Sequence, residues 1–255
     1  MKNSHFIKPL IEIAHAAGNL IMEYYEGKIE VQIKEDDSPV TAADIAANEY
    51  IVSELKKLDK NIPIVAEESA NDPAIANKPI FWLVDPIDGT KGYIKKTGEF
   101  TVNIGLIEDG EPTIGVVYVP AQGNMYFTGE DGGAYKSYKK DGEIVTEQIA
   151  AKKPEGGLIV VASKSHRTPE TDEYIEKLDV KEFISAASSL KFCLLAEGKA
   201  DIYPRFGPTM EWDTAAGHAV LKASGGRVEN LEGEPFIYGK GEFRNTFFVA
   251  FGKVE

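Results

Sequence analysis

The chain has 255 residues, 43% apolar and 27% charged, with a formal net charge of −13. That length suits one large domain or two packed lobes, and the acidity argues against nucleic acid bound through a broad basic face, although bound cations could still invert the local sign for an anionic substrate. No run approaches the roughly 20 apolar residues of a membrane span, no secretory leader is evident, and the single cysteine excludes an intrachain disulfide.

The first predicted element is a helix. Phe6, Leu10, Ile13, Ala17, Leu20, Ile21 and Tyr24 recur at three- and four-residue steps, and Gly27 ends the pattern. A short strand over 29–33 and a polar loop over 34–38 follow. A second helix is expected from Pro39 to Leu58, then a strand over 62–66 ending in Glu67-Glu68-Ser69. Residues 70–79 read as a loop. Ile80 to Val84 is continuously apolar, as in a strand buried on both faces. Strands at 100–107, 114–119 and 124–128 are separated by Gly-rich turns.

The polar stretch at about 136–156 reads as a lobe boundary. Beyond it, strands at 158–162, 181–186 and 200–203 alternate with helices at 169–178, 188–197 and 213–224. Strands near 226–229 and 245–251 close the chain. The expectation is an α/β protein: an α+β lobe over residues 1–150 and an α/β lobe over 151–255.

The chemistry concentrates in Asp85-Pro86-Ile87-Asp88-Gly89-Thr90. A buried strand delivers two carboxylates to one tight turn, Pro86 fixes φ, and Gly89 admits close approach of a ligand. Two converging carboxylates need a cation or a proton, and their hard oxygens suit Mg²⁺ better than zinc. The N–H groups of Gly89 and Thr90 would face an anion beside it. Glu67-Glu68, Asp44 and Asp213 add acids at the ends of other elements. Read singly, each is as readily a helix cap or a solvated side chain. Cys193, among apolar neighbours, reads as a buried thiol rather than a nucleophile, and His218 as structural.

Glu67-Glu68-Ser69, Asp85-Pro86-Ile87-Asp88-Gly89-Thr90 and Trp212-Asp213-Thr214-Ala215-Ala216-Gly217, in that order, resemble the signatures of the inositol monophosphatase superfamily. The resemblance implies a layered α-β-α-β-α sandwich and a lithium-sensitive, Mg²⁺-dependent phosphatase. It assigns Glu67, Asp85, Asp88, Asp213 and the carbonyl of Ile87 to the metals. It assigns Asp44 and Thr90 to activation of the attacking water, and Glu68 to support behind the ligands. Metal-activated water needs no covalent phosphoenzyme.

Ser188 to Cys193 and the stretch up to Arg205 resemble the 3′(2′),5′-bisphosphate nucleotidase branch. This implies adenosine 3′,5′-bisphosphate as substrate and AMP and phosphate as products. Ser188, Lys191 and Arg205 would grip the second phosphate, with His166 near it or near the base; Gly89, Thr90 and Asp213 would complete the substrate site. An Arg fork and a mobile Lys charge are what a bisphosphate requires. An inositol monophosphatase remains the alternative, weakened because Tyr203 to Thr209 offers a cation and an aromatic ring where that branch carries an acid. A metal-dependent binding module without turnover is the non-enzymatic alternative. The expected partner is a small phosphate ester rather than a nucleic acid polymer. Monomer and homodimer stay open, and residence is expected to be cytoplasmic, with attachment at the inner face of a membrane left open.

Overall fold

The computed structural model describes residues 2–27, 29–34, 39–163 and 167–254. Helix α1 (Ile7–Glu26) buries Leu10, Ile13, Ala17 and Ile21 on one face, and the Gly27 N–H closes its last turn on Tyr24. Strands β1 (Val31–Ile33) and β2 (Pro39–Thr41) pair antiparallel. Helix α2 (Ala42–Leu58) therefore starts three residues later than expected. The reason is chemical. Thr41 and Asp44 form a capping box, which satisfies N–H groups that a helix begun at Pro39 would leave open.

Strands β3 (Ile64–Ala66) and β4 (Ile80–Asp88), short helix α3 (Thr90–Ile94), and strands β5 (Thr101–Glu108), β6 (Glu111–Val119), β7 (Asn124–Thr128), β8 (Ala134–Lys140) and β9 (Glu143–Ile149) follow. The strands form one seven-stranded sheet in the order β3 to β9, antiparallel except for the β3–β4 pair. Residues read as a boundary at about 136–156 thus fold largely as β8 and β9. β8 is mostly half-buried and β9 mostly exposed, and both are rich in polar and charged residues, so they lack the apolar alternation that marks a half-buried strand. Asp141-Gly142, both at positive φ, makes their hairpin turn.

Strand β10 (Leu158–Ala162), helix α4 (Pro169–Glu176), strand β11 (Val180–Ser185), helix α5 (Leu190–Ala196), strand β12 (Ile202–Arg205), helix α6 (Ala215–Ala223), and strands β13 (Arg227–Asn230) and β14 (Phe248–Phe251) complete the chain. Their sheet runs β11-β10-β12-β14-β13. It is mixed: β10 is parallel to β11 and β12, whereas β14 is antiparallel to β12 and β13.

The layers stack as α1 and α2, the seven-stranded sheet, α5 and α6, the five-stranded sheet, and α4. Strand β4 shows why. Trp82 and Val84 enter the core under α1 and α2, while Phe81 and Leu83 enter the core shared with α5 and α6. A strand buried on both faces must be apolar throughout, and each such side chain contributes roughly 1.5–3 kcal/mol by leaving water. Helix α6 sits close on the sheet because the facing pair Gly105 and Gly115 has no side chains. A Cβ on Gly115 would lie 2.2 Å from the Ala216 carbonyl oxygen.

Candidate active site

Four segments bring the acids together. Strand β3 ends at Ala66, and the Glu67 N–H continues the ladder onto the Val84 carbonyl at 3.1 Å. Strand β4 carries Asp85, Ile87 and Asp88 itself, and pairing with β5 is interrupted between Asp85 and Asp88. The expected tight turn is therefore a bulged strand end. Pro86 has no N–H for the ladder, and Asp85 Oδ1 accepts the Ile87 N–H at 3.0 Å instead. Helix α2 supplies Asp44 from its first turn. Asp213 lies in a short 3₁₀ turn before α6, not in that helix, where its Oδ2 accepts the Met210 N–H at 2.8 Å.

The electrostatics are those of crowded acids. Burial pushes the Asp85 carboxyl well up, and the charges of Glu67, Asp88 and Asp213 push it further. Burial likewise raises Glu67, Asp88, Asp213 and Asp44. The charge of Glu67 is the largest acidic influence on Asp85, and two such carboxylates share one field only around a proton or a cation. Lys34 donates to Glu67 at 3.1 Å and also to Glu68. Among the described residues no three Asp, Glu, His or Cys side chains sit at metal-ligand spacing. The oxygen-only donors of these acids are of the kind that suits a hard divalent cation.

Thr90 opens α3 and stands between two acceptors. Its Oγ1 lies 3.1 Å from the Ile87 carbonyl oxygen and 3.4 Å from Asp44 Oδ1. Asp44 Oδ2 is held by the Thr41 N–H and hydroxyl, at 2.8 and 2.5 Å. Gly89 precedes Thr90 at φ 94, and a Cβ there would fall 2.9 Å from the Glu99 carbonyl oxygen, so a side chain is excluded twice over.

These groups open on a cavity of about 490 Å³ whose lining includes Glu67, Asp88, Gly89, Thr90 and Asp213 together with Ser188, Lys191, Tyr203 and Arg205. Asp44, Asp85 and Ile87 lie beneath that lining. Lys191 is only 4% exposed. Burial lowers its pKa to about 8, while Asp88 supports its charge and Arg205 opposes it. Its Nζ donates to the Ser188 carbonyl at 2.7 Å and stands 5.1 Å over the Tyr203 ring. Arg205 donates to the Pro208 carbonyl at 2.9 Å, and its buried Nε has no partner among the described residues. His166 lies outside the described residues.

Four participants escape the sequence reading. Lys34 looks like any loop lysine. Tyr203 looks like a core aromatic, yet its face carries Lys191. Asn103, fully buried on β5, donates to Asp88 Oδ2 at 3.4 Å while its own Oδ1 lacks a partner among the described residues. Ser189 bonds two of the acids. The one signal for Asn103 is that it is an amide within the apolar run from Val102 to Ile107, a strand buried on both faces. Cys193 is buried with its thiol pushed well up by that burial, the opposite of a nucleophile. His218 lies away from the cavity, bonded at 3.1 Å to the Tyr238 hydroxyl.

Comparison with known proteins adds three findings. The family model described as the inositol monophosphatase family matches residues 2–246. The 3′(2′),5′-bisphosphate nucleotidase CysQ of Salmonella typhimurium is 45% identical over 237 residues, covering 91% of this chain and 93% of that protein. The protein of that name from Escherichia coli K12 is 45% identical over 230 residues, covering 89% and 91%. Among solved structures, CysQ from Bacteroides thetaiotaomicron superposes with a TM-score of 0.82 at 42% identity, covering 96% of each chain.

Proposed function

The chain belongs to the inositol monophosphatase family of metal-dependent phosphatases, and we propose that this member hydrolyses the 3′-phosphate of adenosine 3′,5′-bisphosphate, with Mg²⁺ as its cation. The observation that carries the reading is one cavity lined both by carboxylates, Glu67, Asp88 and Asp213, and by the cations Lys191 and Arg205. Such a site suits a ligand with two phosphates, one at the acids through bound cations and one at Lys191 and Arg205. The CysQ relatives, whose names state that nucleotidase activity, support the same choice.

Glu67, Asp85, Asp88, Asp213 and the Ile87 carbonyl would hold the cations. Bound there, divalent cations supply Lewis acidity and lower the pKa of water. The chain's own residues move the proton. The single Thr90 hydroxyl proton has two acceptors, and donation to Asp44 leaves the Thr90 oxygen free to accept from the attacking water. Thr41 holds the other Asp44 oxygen and so fixes which one faces Thr90. Water adds to phosphorus, the bond from phosphorus to the 3′-oxygen breaks, that oxygen takes a proton from solvent water, and AMP and inorganic phosphate leave. Lys191, Arg205 and Ser188 would hold the retained 5′-phosphate. Gly89 and Thr90 would present backbone N–H groups to the reacting one.

Phosphate release from adenosine 3′,5′-bisphosphate and from inositol 1-phosphate, each with Mg²⁺ and with a chelator, tests the proposal. Preference for the bisphosphate, dependent on Mg²⁺, is expected. Preference for inositol 1-phosphate overturns the substrate, and release unaffected by chelation overturns the cation.

A further inference from the structure

Ser189 is 1% exposed and makes two short bonds of different kinds. Its backbone N–H donates to Asp88 Oδ2 at 2.7 Å. Its hydroxyl donates to the Asp213 backbone carbonyl at 2.6 Å. Asp88 comes from the seven-stranded sheet and Asp213 from the turn before α6, and no other described side chain is shown bonding both. The same residue immediately precedes α5, whose Lys191 faces the cavity.

The turn around Ser189 is tied down on every side. Ser188 has φ 52, a left-handed conformation rare outside glycine. Its hydroxyl accepts from the Thr101 hydroxyl at 3.3 Å, and its carbonyl accepts from Lys191 Nζ at 2.7 Å. Asp88 Oδ2 also accepts from Asn103. A displacement of Asp88 or Asp213 therefore reaches Ser188 and Lys191 through hydrogen bonds and one turn of fixed backbone.

We propose that Ser189 is a positioning residue that couples the acids Asp88 and Asp213 to the turn carrying Ser188 and Lys191, so that binding of a divalent cation and binding of the retained phosphate strengthen each other. The inference rests on the function proposed above and deepens it. Coupling of this kind is reciprocal: whatever factor the cation applies to phosphate affinity, the phosphate applies to cation affinity.

Titration calorimetry on the full chain tests it, with AMP as the probe for the retained phosphate and Mg²⁺ as the cation. Wild type is expected to bind AMP at least about tenfold more tightly with Mg²⁺ than with chelator, and Mg²⁺ more tightly by the same factor with AMP. Ser189→Ala deletes the bond to Asp213 and spares the N–H to Asp88. Its coupling factor should fall at least about threefold, with each ligand alone bound within about twofold of wild type, and Ser189→Thr should restore the factor. A wild type without coupling overturns the inference, as does a Ser189→Ala protein that keeps the full factor. If Ser189→Ala does not fold, Ser189→Cys fills the same volume with a weak donor and takes its place. Failure of both to fold assigns the hydroxyl to stability and overturns the inference. Phosphate release by wild type tests the earlier reading separately. A chain that hydrolyses the bisphosphate but shows no coupling loses only the inference; one that couples AMP and Mg²⁺ but releases no phosphate loses only the activity.

Discussion

Gly115 faces Ala216 so closely that a Cβ added to the glycine would lie 2.2 Å from the Ala216 carbonyl oxygen and 2.8 Å from the Ala219 Cβ. The contact sets the height of α6 above the seven-stranded sheet, and with it the height of Asp213. Gly115→Ala should destabilise the chain by about 1–3 kcal/mol or more, because a backbone carbonyl cannot rotate away as a side chain can. Urea unfolding measures the loss. An unchanged midpoint would show that α6 shifts freely.

Asp88 is held by two donors; Lys191 and Arg205 favour its charge, and that charge in turn pushes Asp85 and Asp213 up. Asp88→Asn should cut phosphate release at least about 100-fold by weakening the cation site. The chelated protein should melt no lower than wild type, since relief of the repulsion on Asp85 and Asp213 offsets the support lost by Lys191. A marked fall in its melting temperature would assign Asp88 to the core rather than to the cation.

Thr90→Ala removes the hydroxyl between Asp44 and Ile87. We expect kcat to drop about 10²- to 10⁴-fold, the range for a lost proton-transfer group, with Mg²⁺ affinity by calorimetry little changed. Thr90→Ser should recover most of the rate. Equal loss in both variants would mean that the methyl group matters, not the proton.

Arg205 points at the cavity from β12 with one N–H unpartnered among the described residues. Arg205→Ala should raise KM for adenosine 3′,5′-bisphosphate about 10- to 100-fold, the worth of a charged hydrogen bond. Monophosphate substrates should be much less affected. Equal loss on both classes in steady-state kinetics would place Arg205 at the reacting phosphate.

His218 is buried beside Tyr238, with the charges of Lys222 and Lys240 near it, and burial lowers its pKa to about 3. The unfolded chain takes a proton there below about 6.5, whereas the folded chain resists until about 3. The unfolded state thus binds more protons across that window, and stability falls as pH falls through it. Relative to His218→Phe, wild type should lose about 1.4 kcal/mol of stability per pH unit between roughly pH 6 and 4. Parallel denaturation curves for the two proteins across that range would contradict this account.

Much of this was legible in the residues. The periodicity of α1, the apolar run of β4 and the acids at element ends follow from local chemistry: a helix stripe, a doubly buried strand and a capped turn leave patterns that short range determines. Local chemistry also misled where two patterns share a boundary. Pro39 reads as a helix start, but pairing of β2 with β1 claims it. The hairpin of β8 and β9 is rich in polar and charged residues and leaves no alternating apolar pattern, so it reads as a linker.

The cavity belongs to the tertiary structure. Asp88, Asn103, Ser189 and Asp213 are spread over four segments: pairing of β4 with β5 sets Asn103 beside Asp88, and the stacking of α5 and α6 on the sheet brings Ser189 and Asp213 into hydrogen-bond reach. The sequence by itself determined that the chain concentrates hard oxygen donors at the ends of buried elements, because residue type decides what a carboxylate can bind. Only the folded chain decided which acids share one field, that Tyr203 underlies Lys191, and that Ser189 bonds both Asp88 and the Asp213 carbonyl. Those are distances between residues far apart in sequence, and no local pattern encodes them.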